Sequence, residues 1–289
     1  MNEEKINFKE QREFGEVLNM TFAFIRQNIG KLSKAIIYFC GPFILLQGIA
    51  MVFYNTNVGN LVSNLKIYGF NYFFENFFIY FLLFMVTTFL CFIMMISTVY
   101  SYIKLYIENG KDGFKIEDVW KSVTKNYLRL LGTAVICGFL VSIGSIMCFI
   151  PGIYLGVVFS LIIPIIIFED KSFGEAFSRS FKLANYHWWW LLLLFIVIYA
   201  IIYIVSLIFS IPQAILGITY QMHSLNTSLD IPEYIKYVLA IITIITTFVT
   251  TMLTVIIYVA ISFEYFNIVE KKESPSLLNK IEEMENNQI

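Results

Sequence analysis

Residues 130–168 read LLGTAVICGFLVSIGSIMCFIPGIYLGVVFSLIIPIIIF and contain no Asp, Glu, Lys or Arg. A helix needs about 20 apolar residues to cross the hydrocarbon core of a bilayer, which is roughly 30 Å thick. This stretch is long enough for two such helices, and Pro151-Gly152 interrupts it near its middle. We therefore interpret it as two membrane-spanning helices that form a hairpin turned at Pro151-Gly152.

Charge-free stretches recur along the rest of the chain. They predict an all-α, polytopic membrane protein. The composition agrees, since 58% of the residues are hydrophobic and only 14% are charged, against 45–50% and about 25% in soluble domains. A soluble cytosolic enzyme and a disordered chain are excluded on this ground, and a formal net charge of -1 gives no support to nucleic-acid binding. The six predicted spans lie near 33–54, 78–103, 129–149, 152–168, 188–212 and 236–263.

The Lys and Arg residues predict the orientation of the spans. Six precede residue 35, six lie in 104–129, three in 169–187 and three in the C-terminal tail, whereas Lys66 and Lys236 alone lie on the opposite side. Basic residues accumulate on the cytoplasmic side of membrane proteins. We therefore expect both termini to be cytoplasmic, in the cytoplasmic membrane of a bacterium, with residues 1–268 forming one membrane domain and residues 269–289 a cytoplasmic tail.

Three segments that precede span pairs have the apolar stripe of an amphipathic helix. They cover 14–32, 116–130 and 173–188, and we expect them to lie in the headgroup plane as cytoplasmic interfacial helices. Phe14-Gly15-Glu16 resembles Phe173-Gly174-Glu175, and Ile116-Glu117-Asp118 is a looser match. The chain is thereby predicted to repeat a helix-plus-hairpin unit three times, over about 8–103, 112–168 and 172–268. The alternative is that any cytoplasmic helix before a span has such a pattern.

Small and polar residues mark two helix faces inside the predicted spans. Small residues let helices approach closely in lipid, so we expect packing between the third and fourth spans at Gly138, Ser142, Gly152, Gly156 and Ser160. The sixth span carries a stripe of threonines. They line either a helix contact, with each hydroxyl bonded to its own helix, or a polar path for a substrate. The candidate polar face comprises Thr243, Thr247, Thr250 and Thr254, together with Thr246 and Thr251.

The chemistry of an enzyme or a metal site is missing from the sequence. The two histidines, His187 and His223, are predicted on opposite sides of the membrane and could not share a metal ion. The four cysteines lie in predicted spans without a CxxC pair. No catalytic residue, metal or cofactor is therefore predicted. The candidates for contact with lipid headgroups are basic or aromatic residues at the cytoplasmic boundary, namely Arg26, Arg129, Arg179, Lys182, His187 and Trp188.

One stretch resembles a known group of proteins. It runs from Phe149 to Leu155, through Leu161–Pro164 and Phe168–Ser180, to Trp188-Trp189-Trp190. It is similar to bacterial six-span membrane proteins that include the YciC-like proteins and the membrane domain fused to some glycerophosphodiester phosphodiesterases. The resemblance implies a six-span fold and brings no active site, because the catalytic domain of the fused relatives has no counterpart here.

These observations lead to two functional hypotheses. The first is a non-enzymatic membrane protein that interacts with lipids or acts as a partner-binding scaffold. The second is a transporter or permease component for a lipid or a small apolar solute, with a path beside the threonine stripe. The expected partners are membrane lipids and either a second copy of the chain or another membrane protein, with no nucleic acid.

Overall fold

The computed structural model describes residues 5–63, 65–225 and 233–274, and over these residues it contains helices and no strand. Six helical stretches are long and apolar enough to cross a membrane, which agrees with the predicted number of spans. The residues of the predicted tail beyond 274 lie outside the described residues. The helices are α1 (Phe14–Ser63), α2 (Leu65–Asn109), α3 (Ile116–Met147), α4 (Phe149–Phe159), α5 (Ile162–Phe168), α6 (Phe173–Leu225), α7 (Glu233–Leu253) and α8 (Val255–Glu273).

The first two predicted interfacial helices are not separate elements. α1 and α3 each run without a break from the amphipathic segment into the following apolar segment. Each apolar stripe is buried only in part: Val17, Leu32 and Val119 are at most 2% exposed, whereas Phe22, Ile29 and Trp120 are 41%, 61% and 43% exposed. Only the third segment ends at a break, at His187 inside α6, where φ is -136° and ψ is 30°. The location of these segments at the membrane surface stays a prediction.

The hairpin between α3 and α4 turns at Cys148, three residues before the predicted turn. Cys148 has extended backbone angles, φ -165° and ψ 141°. Pro151 instead lies in the first turn of α4, where its missing N–H costs no helical hydrogen bond. Pro164 has a larger effect. It cannot donate to the carbonyl of Ser160, and the helix breaks at Ser160–Leu161 between α4 and α5.

The chain divides into two compact units. Unit 1 comprises Met1–Ile36, Ile96–Tyr199 and Val255–Ile289. At its core is α8, in which every residue from Val255 to Ile268 except Ile256 is buried. A helix that is buried on all faces belongs to the interior of a protein. Unit 2 comprises Ile37–Met95 and Ala200–Thr254, and within it Gly48 approaches Ile244 closely enough that an added Cβ would lie 3.4 Å from the Ile244 backbone.

The segment before α1 is part of the core of unit 1. The Phe8 side chain is 1% exposed, and its ring stacks on Phe263 with the centroids 4.1 Å apart. The edges of Phe24, Tyr106 and Phe266 surround it at 5.1, 6.2 and 6.0 Å. A single aromatic side chain thus anchors an extended segment to helices α1, α2 and α8.

Candidate functional site

A cluster of charged side chains joins the end of α5, the beginning of α6 and the end of α8. The carboxylate of Glu169 accepts hydrogen bonds from Nε of Arg179 at 2.7 Å and from the hydroxyl of Tyr265, and Nζ of Lys171 lies 2.7 Å from its other oxygen. The two terminal nitrogens of Arg179 donate to Glu273 at 2.7 and 2.8 Å. We call these five residues the Glu169 cluster.

Burial and hydrogen bonding act in opposite directions on the Glu169 cluster. Burial raises the pKa of Glu169, but the hydrogen bonds from Lys171, Tyr265 and Arg179 outweigh it and hold that pKa below its ordinary value. The paired carboxylates, first that of Glu273 and then that of Glu169, raise the pKa of Arg179 against the opposing effect of burial. Both groups are therefore fixed in their charged forms at neutral pH.

A cavity of about 300 Å³ adjoins the Glu169 cluster. Its wall contains both acidic and basic side chains, which also include Lys9, Lys104, Glu108 and Glu270. Lys104 forms an ion pair of 2.6 Å with Asp170, and the donors of Arg179 are engaged by Glu169 and Glu273. Because these cations already have carboxylate partners, the wall has no strong excess of positive charge for an anionic ligand.

A second cavity in unit 1 has a volume of about 370 Å³. One of its walls is a buried carboxylate, that of Glu264, which is 3% exposed and accepts a hydrogen bond of 3.0 Å from Asn267. The backbone N–H of Arg12 donates in turn to Asn267 at 2.8 Å, and Nζ of Lys271 donates to the Arg12 carbonyl at 2.7 Å. We call it the Glu264 cavity; its lining residues are Glu13, Phe14, Gly15, His187, Trp190, Glu264, Asn267 and Lys271.

The remaining wall of the Glu264 cavity is aromatic. The rings of Phe14 and Trp190 lie 5.8 Å apart at an angle of 37°. Trp190 follows the break in α6 at His187, which brings both side chains to the cavity. Carboxylates beside aromatic faces form a favourable environment for an organic cation.

The structure distributes the predicted headgroup-contact residues over different surroundings. Arg179 belongs to the Glu169 cluster, so its guanidinium is occupied by carboxylates within the protein. His187 lines the Glu264 cavity, and the half-buried Trp188 stacks on Tyr154 at 5.8 Å. Arg26 and Lys182 are exposed and Arg129 is half-buried.

The threonine stripe lies on α7 and continues to Thr254 directly after it, and most of its hydroxyls donate to carbonyls one turn earlier. Thr243, Thr247 and Thr250 donate to the carbonyls four residues earlier, each at 2.8 Å, and Thr254 donates to the Thr251 carbonyl at 2.7 Å. Two amide side chains of unit 2 add contacts across helices: Gln213 donates to Thr243 at 3.2 Å, and Gln47 accepts from Thr251 at 3.4 Å.

Among the predicted packing residues, Gly152 lies at a close approach. A Cβ added to Gly152 would lie 2.1 Å from Oγ and 2.9 Å from Cα of Ser145 on α3. Gly138 and Gly156 have no atom within 4 Å of such a Cβ. The hydroxyls of Ser142 and Ser160 donate to carbonyls of the preceding turn, those of Gly138 and Val157.

Sequence reasoning missed Glu264 and its neighbours. Glu264 follows the last charge-free stretch directly and was interpreted as the end of a span. A signal was present, because Glu264, Asn267 and Lys271 are spaced at i, i+3 and i+7 and therefore share one helix face. Among the described residues no group of three or more His, Cys, Asp or Glu side chains is arranged to hold a metal ion; the absence of a cofactor stays a prediction.

Comparison with known families matches residues 30–269 to a domain of unknown function, DUF7847. The chain belongs to the DUF7847 family. The DUF7847 region includes His187, Trp190, Glu264 and Asn267 of the Glu264 cavity, whereas Glu13, Phe14 and Gly15 precede it and Lys271 follows it. No curated protein and no solved structure matches the chain. The resemblance to YciC-like proteins is not confirmed by these comparisons.

Proposed function

We propose that this DUF7847 protein is an integral protein of the bacterial cytoplasmic membrane that interacts with lipids, as a non-enzymatic lipid-binding or partner-binding scaffold. The observation that supports this is the apolar surface of the candidate spanning helices. In unit 2 alone, Phe53, Phe78 and Tyr203 are 53%, 62% and 65% exposed. Large contiguous apolar surfaces mark contact with membranes or with other proteins, and lipid is the natural cover for helices of this length.

Both termini are placed in the cytoplasm in this proposal. The support is the distribution of charge, because 18 of the 20 basic residues fall on one side of the predicted spans. The proposal also retains the threefold repeat and the role of its first segments at the membrane surface. Phe14, Ile116 and Phe173, which begin the three similar motifs, are the first residues of α1, α3 and α6.

The second hypothesis, a transporter for a lipid or a small apolar solute, depends on the threonine stripe. Most stripe hydroxyls have acceptors in their own helix, whereas Thr246 donates to the carbonyl of Phe209 and Thr251 to the side chain of Gln47. This arrangement suits helix packing as well as a path. Valine is nearly isosteric with threonine, so replacing Thr243, Thr247, Thr250 and Thr254 by valine would separate the two roles. A folded variant that loses solute flux in reconstituted vesicles would favour the transporter.

Lipid mass spectrometry on the purified full-length protein tests the main proposal. We expect a stoichiometric, chemically selective lipid to remain bound after extensive detergent washing. A protein that retains no lipid, or retains the bulk lipid mixture unchanged, would contradict lipid recognition. Reporter fusions test the topology: a fluorescent protein at the C-terminus should fold in the cytoplasm, and alkaline phosphatase inserted between residues 225 and 233 should be active outside it.

A further inference from the structure

We propose that the Glu264 cavity binds the headgroup of a zwitterionic aminophospholipid, with the lipid ammonium group at Glu264 and the phosphate at Lys271. This inference rests on the proposed lipid interaction and names the lipid class and the site. Its evidence is the Glu264 carboxylate, the aromatic wall, the placement of Lys271 and the position of the cavity along the helices.

The Glu264 carboxylate is the first piece of evidence. It is 3% exposed; among the described residues it accepts one hydrogen bond, from Asn267, and the charge of Lys271 acts on it from beyond ion-pair distance. Taking a carboxylate out of water is costly unless a cation or several hydrogen bonds compensate it. The cavity leaves space beside Glu264 for such a cation, and a ligand ammonium group supplies both the charge and the hydrogen-bond donors.

The aromatic wall selects an organic cation. Phe14 and Trp190 line the same cavity with their rings 5.8 Å apart. An ammonium group over an aromatic face is attracted by the ring quadrupole, most strongly for tryptophan. Glu13 adds a second carboxylate at the rim. A primary ammonium therefore fits this wall better than a hydrated metal ion, which requires more oxygen ligands than the wall offers.

In this proposal Lys271 binds the phosphate, which is the negative group of the headgroup. Its Nζ donates one hydrogen bond to the Arg12 carbonyl, and an ammonium group has three donors, so two remain for phosphate oxygens. Lys271 follows Glu264 by seven residues, a rise of roughly 10 Å along α8. Side chains on a helix tilt towards its N-terminus, which brings Nζ back towards Glu264. In the proposed complex an ethanolamine phosphate would bridge the two groups.

The position of the cavity agrees with a headgroup. His187, at the break in α6, separates the amphipathic segment from the apolar one, and Trp188-Trp189-Trp190 follows it directly. Tryptophan is enriched at the level of the headgroups in membrane proteins. The volume of about 370 Å³ lies within the range of small-molecule sites.

Native mass spectrometry of the full-length protein in detergent tests the inference by titration with phosphatidylethanolamine, phosphatidylglycerol and soluble phosphoethanolamine. We expect phosphatidylethanolamine to bind at least about tenfold more tightly than phosphatidylglycerol, and phosphoethanolamine to bind far more weakly than the lipid. Glu264→Gln and Trp190→Leu should each remove most of this preference. The control Glu117→Gln, which neutralises an exposed carboxylate on α3, should retain it.

The outcomes separate this inference from the proposed function. Equal binding of the two lipids by the native protein would overturn the inference and leave lipid interaction standing, whereas binding of neither would overturn both. Soluble phosphoethanolamine that binds as tightly as the lipid would overturn the assignment to a lipid. If Glu264→Gln does not fold, the half-exposed Trp190→Leu decides, and an unchanged preference in that variant would overturn the inference.

Discussion

Arg179 donates both terminal nitrogens of its guanidinium to Glu273, at 2.7 and 2.8 Å, and so fastens the beginning of α6 to the last residue of α8. Its third donor, Nε, reaches Glu169 at 2.7 Å. One side chain therefore joins three elements of unit 1. Bidentate arginine–carboxylate pairs are among the stronger hydrogen-bonded contacts in proteins, and all three guanidinium nitrogens of Arg179 are engaged by carboxylates of the protein.

Replacing Arg179 should destabilise unit 1. In Arg179→Ala the carboxylates of Glu169 and Glu273 lose their shared cation, at a cost of about 2 kcal/mol for partly buried charged groups. We expect the melting temperature in detergent to fall by roughly 4–8 °C. The control is Lys182→Ala, which removes an exposed cation from the same helix and should change the melting temperature by less than about 1 °C. Equal losses in both variants would mean that Arg179 acts as an ordinary surface charge.

Glu169 should give the protein a specific dependence on acid. Its pKa in the folded protein lies below the ordinary value of 4.5, so the unfolded chain takes up the proton first as the pH falls. The stability that Glu169 contributes is then fully present above about pH 4.5 and is lost as the pH falls through the folded pKa. The difference in melting temperature between the native protein and Glu169→Gln should be largest at neutral pH and shrink below pH 4.5. The melting temperature of the control Glu117→Gln should follow that of the native protein at every pH. A difference in melting temperature between the native protein and Glu169→Gln that does not change with pH would contradict the contacts assigned to Glu169.

Two glycines of α4 should respond oppositely to alanine. In Gly152→Ala the new Cβ would meet the backbone of Ser145 at 2.9 Å, so α3 and α4 must separate, and overpacking of this kind costs about 1–3 kcal/mol. In Gly156→Ala the Cβ meets nothing within 4 Å and gains helix propensity. The melting temperature of Gly152→Ala should therefore fall, and that of Gly156→Ala should stay the same or rise. A similar loss in both would show that Gly156 also lies at a packed surface.

The segment before α1 should be required for stability. Phe8→Ala empties a space enclosed by Phe24, Tyr106, Phe263 and Phe266, and such truncations cost about 3 kcal/mol or more. We expect the melting temperature to fall by roughly 6–12 °C. Phe22→Ala is the matched control, because Phe22 is 41% exposed on α1 and its removal leaves no cavity. Should both variants melt together with the native protein, Phe8 would not be part of the core.

The number of apolar helices could be predicted from single residues, whereas their breaks could not. Charged residues such as Lys34, Lys104, Arg129 and Glu169 mark the ends of apolar stretches whatever residues surround them. The free energy of moving a charged side chain into the bilayer depends mainly on that side chain itself. The turn at Cys148 was predicted three residues late, at Pro151-Gly152. A proline is a helix breaker only beyond the first turn, and where that turn begins depends on how α3 and α4 pack.

The amphipathic segments illustrate the same limit. The first stripe is buried in part, since Val17 and Leu32 are buried whereas Phe22 and Ile29 are exposed. The sequence pattern does not show whether lipid or protein covers the apolar stripe. A lipid headgroup layer and a protein interior bury an apolar stripe equally well, and in α1 and α3 the protein covers only part of the stripe.

The sequence by itself determined that the chain is helical, that six helical stretches suit a bilayer and that the basic residues gather between particular stretches, because hydrophobicity and charge are properties of each residue. Only the tertiary structure decided which charges are paired and which cavities they line. The bond from the backbone of Arg12 to Asn267 spans 255 positions, and Glu13, His187 and Lys271 come from three distant segments. Such contacts form when helices pack together, and the local periodicity of the sequence does not predict them.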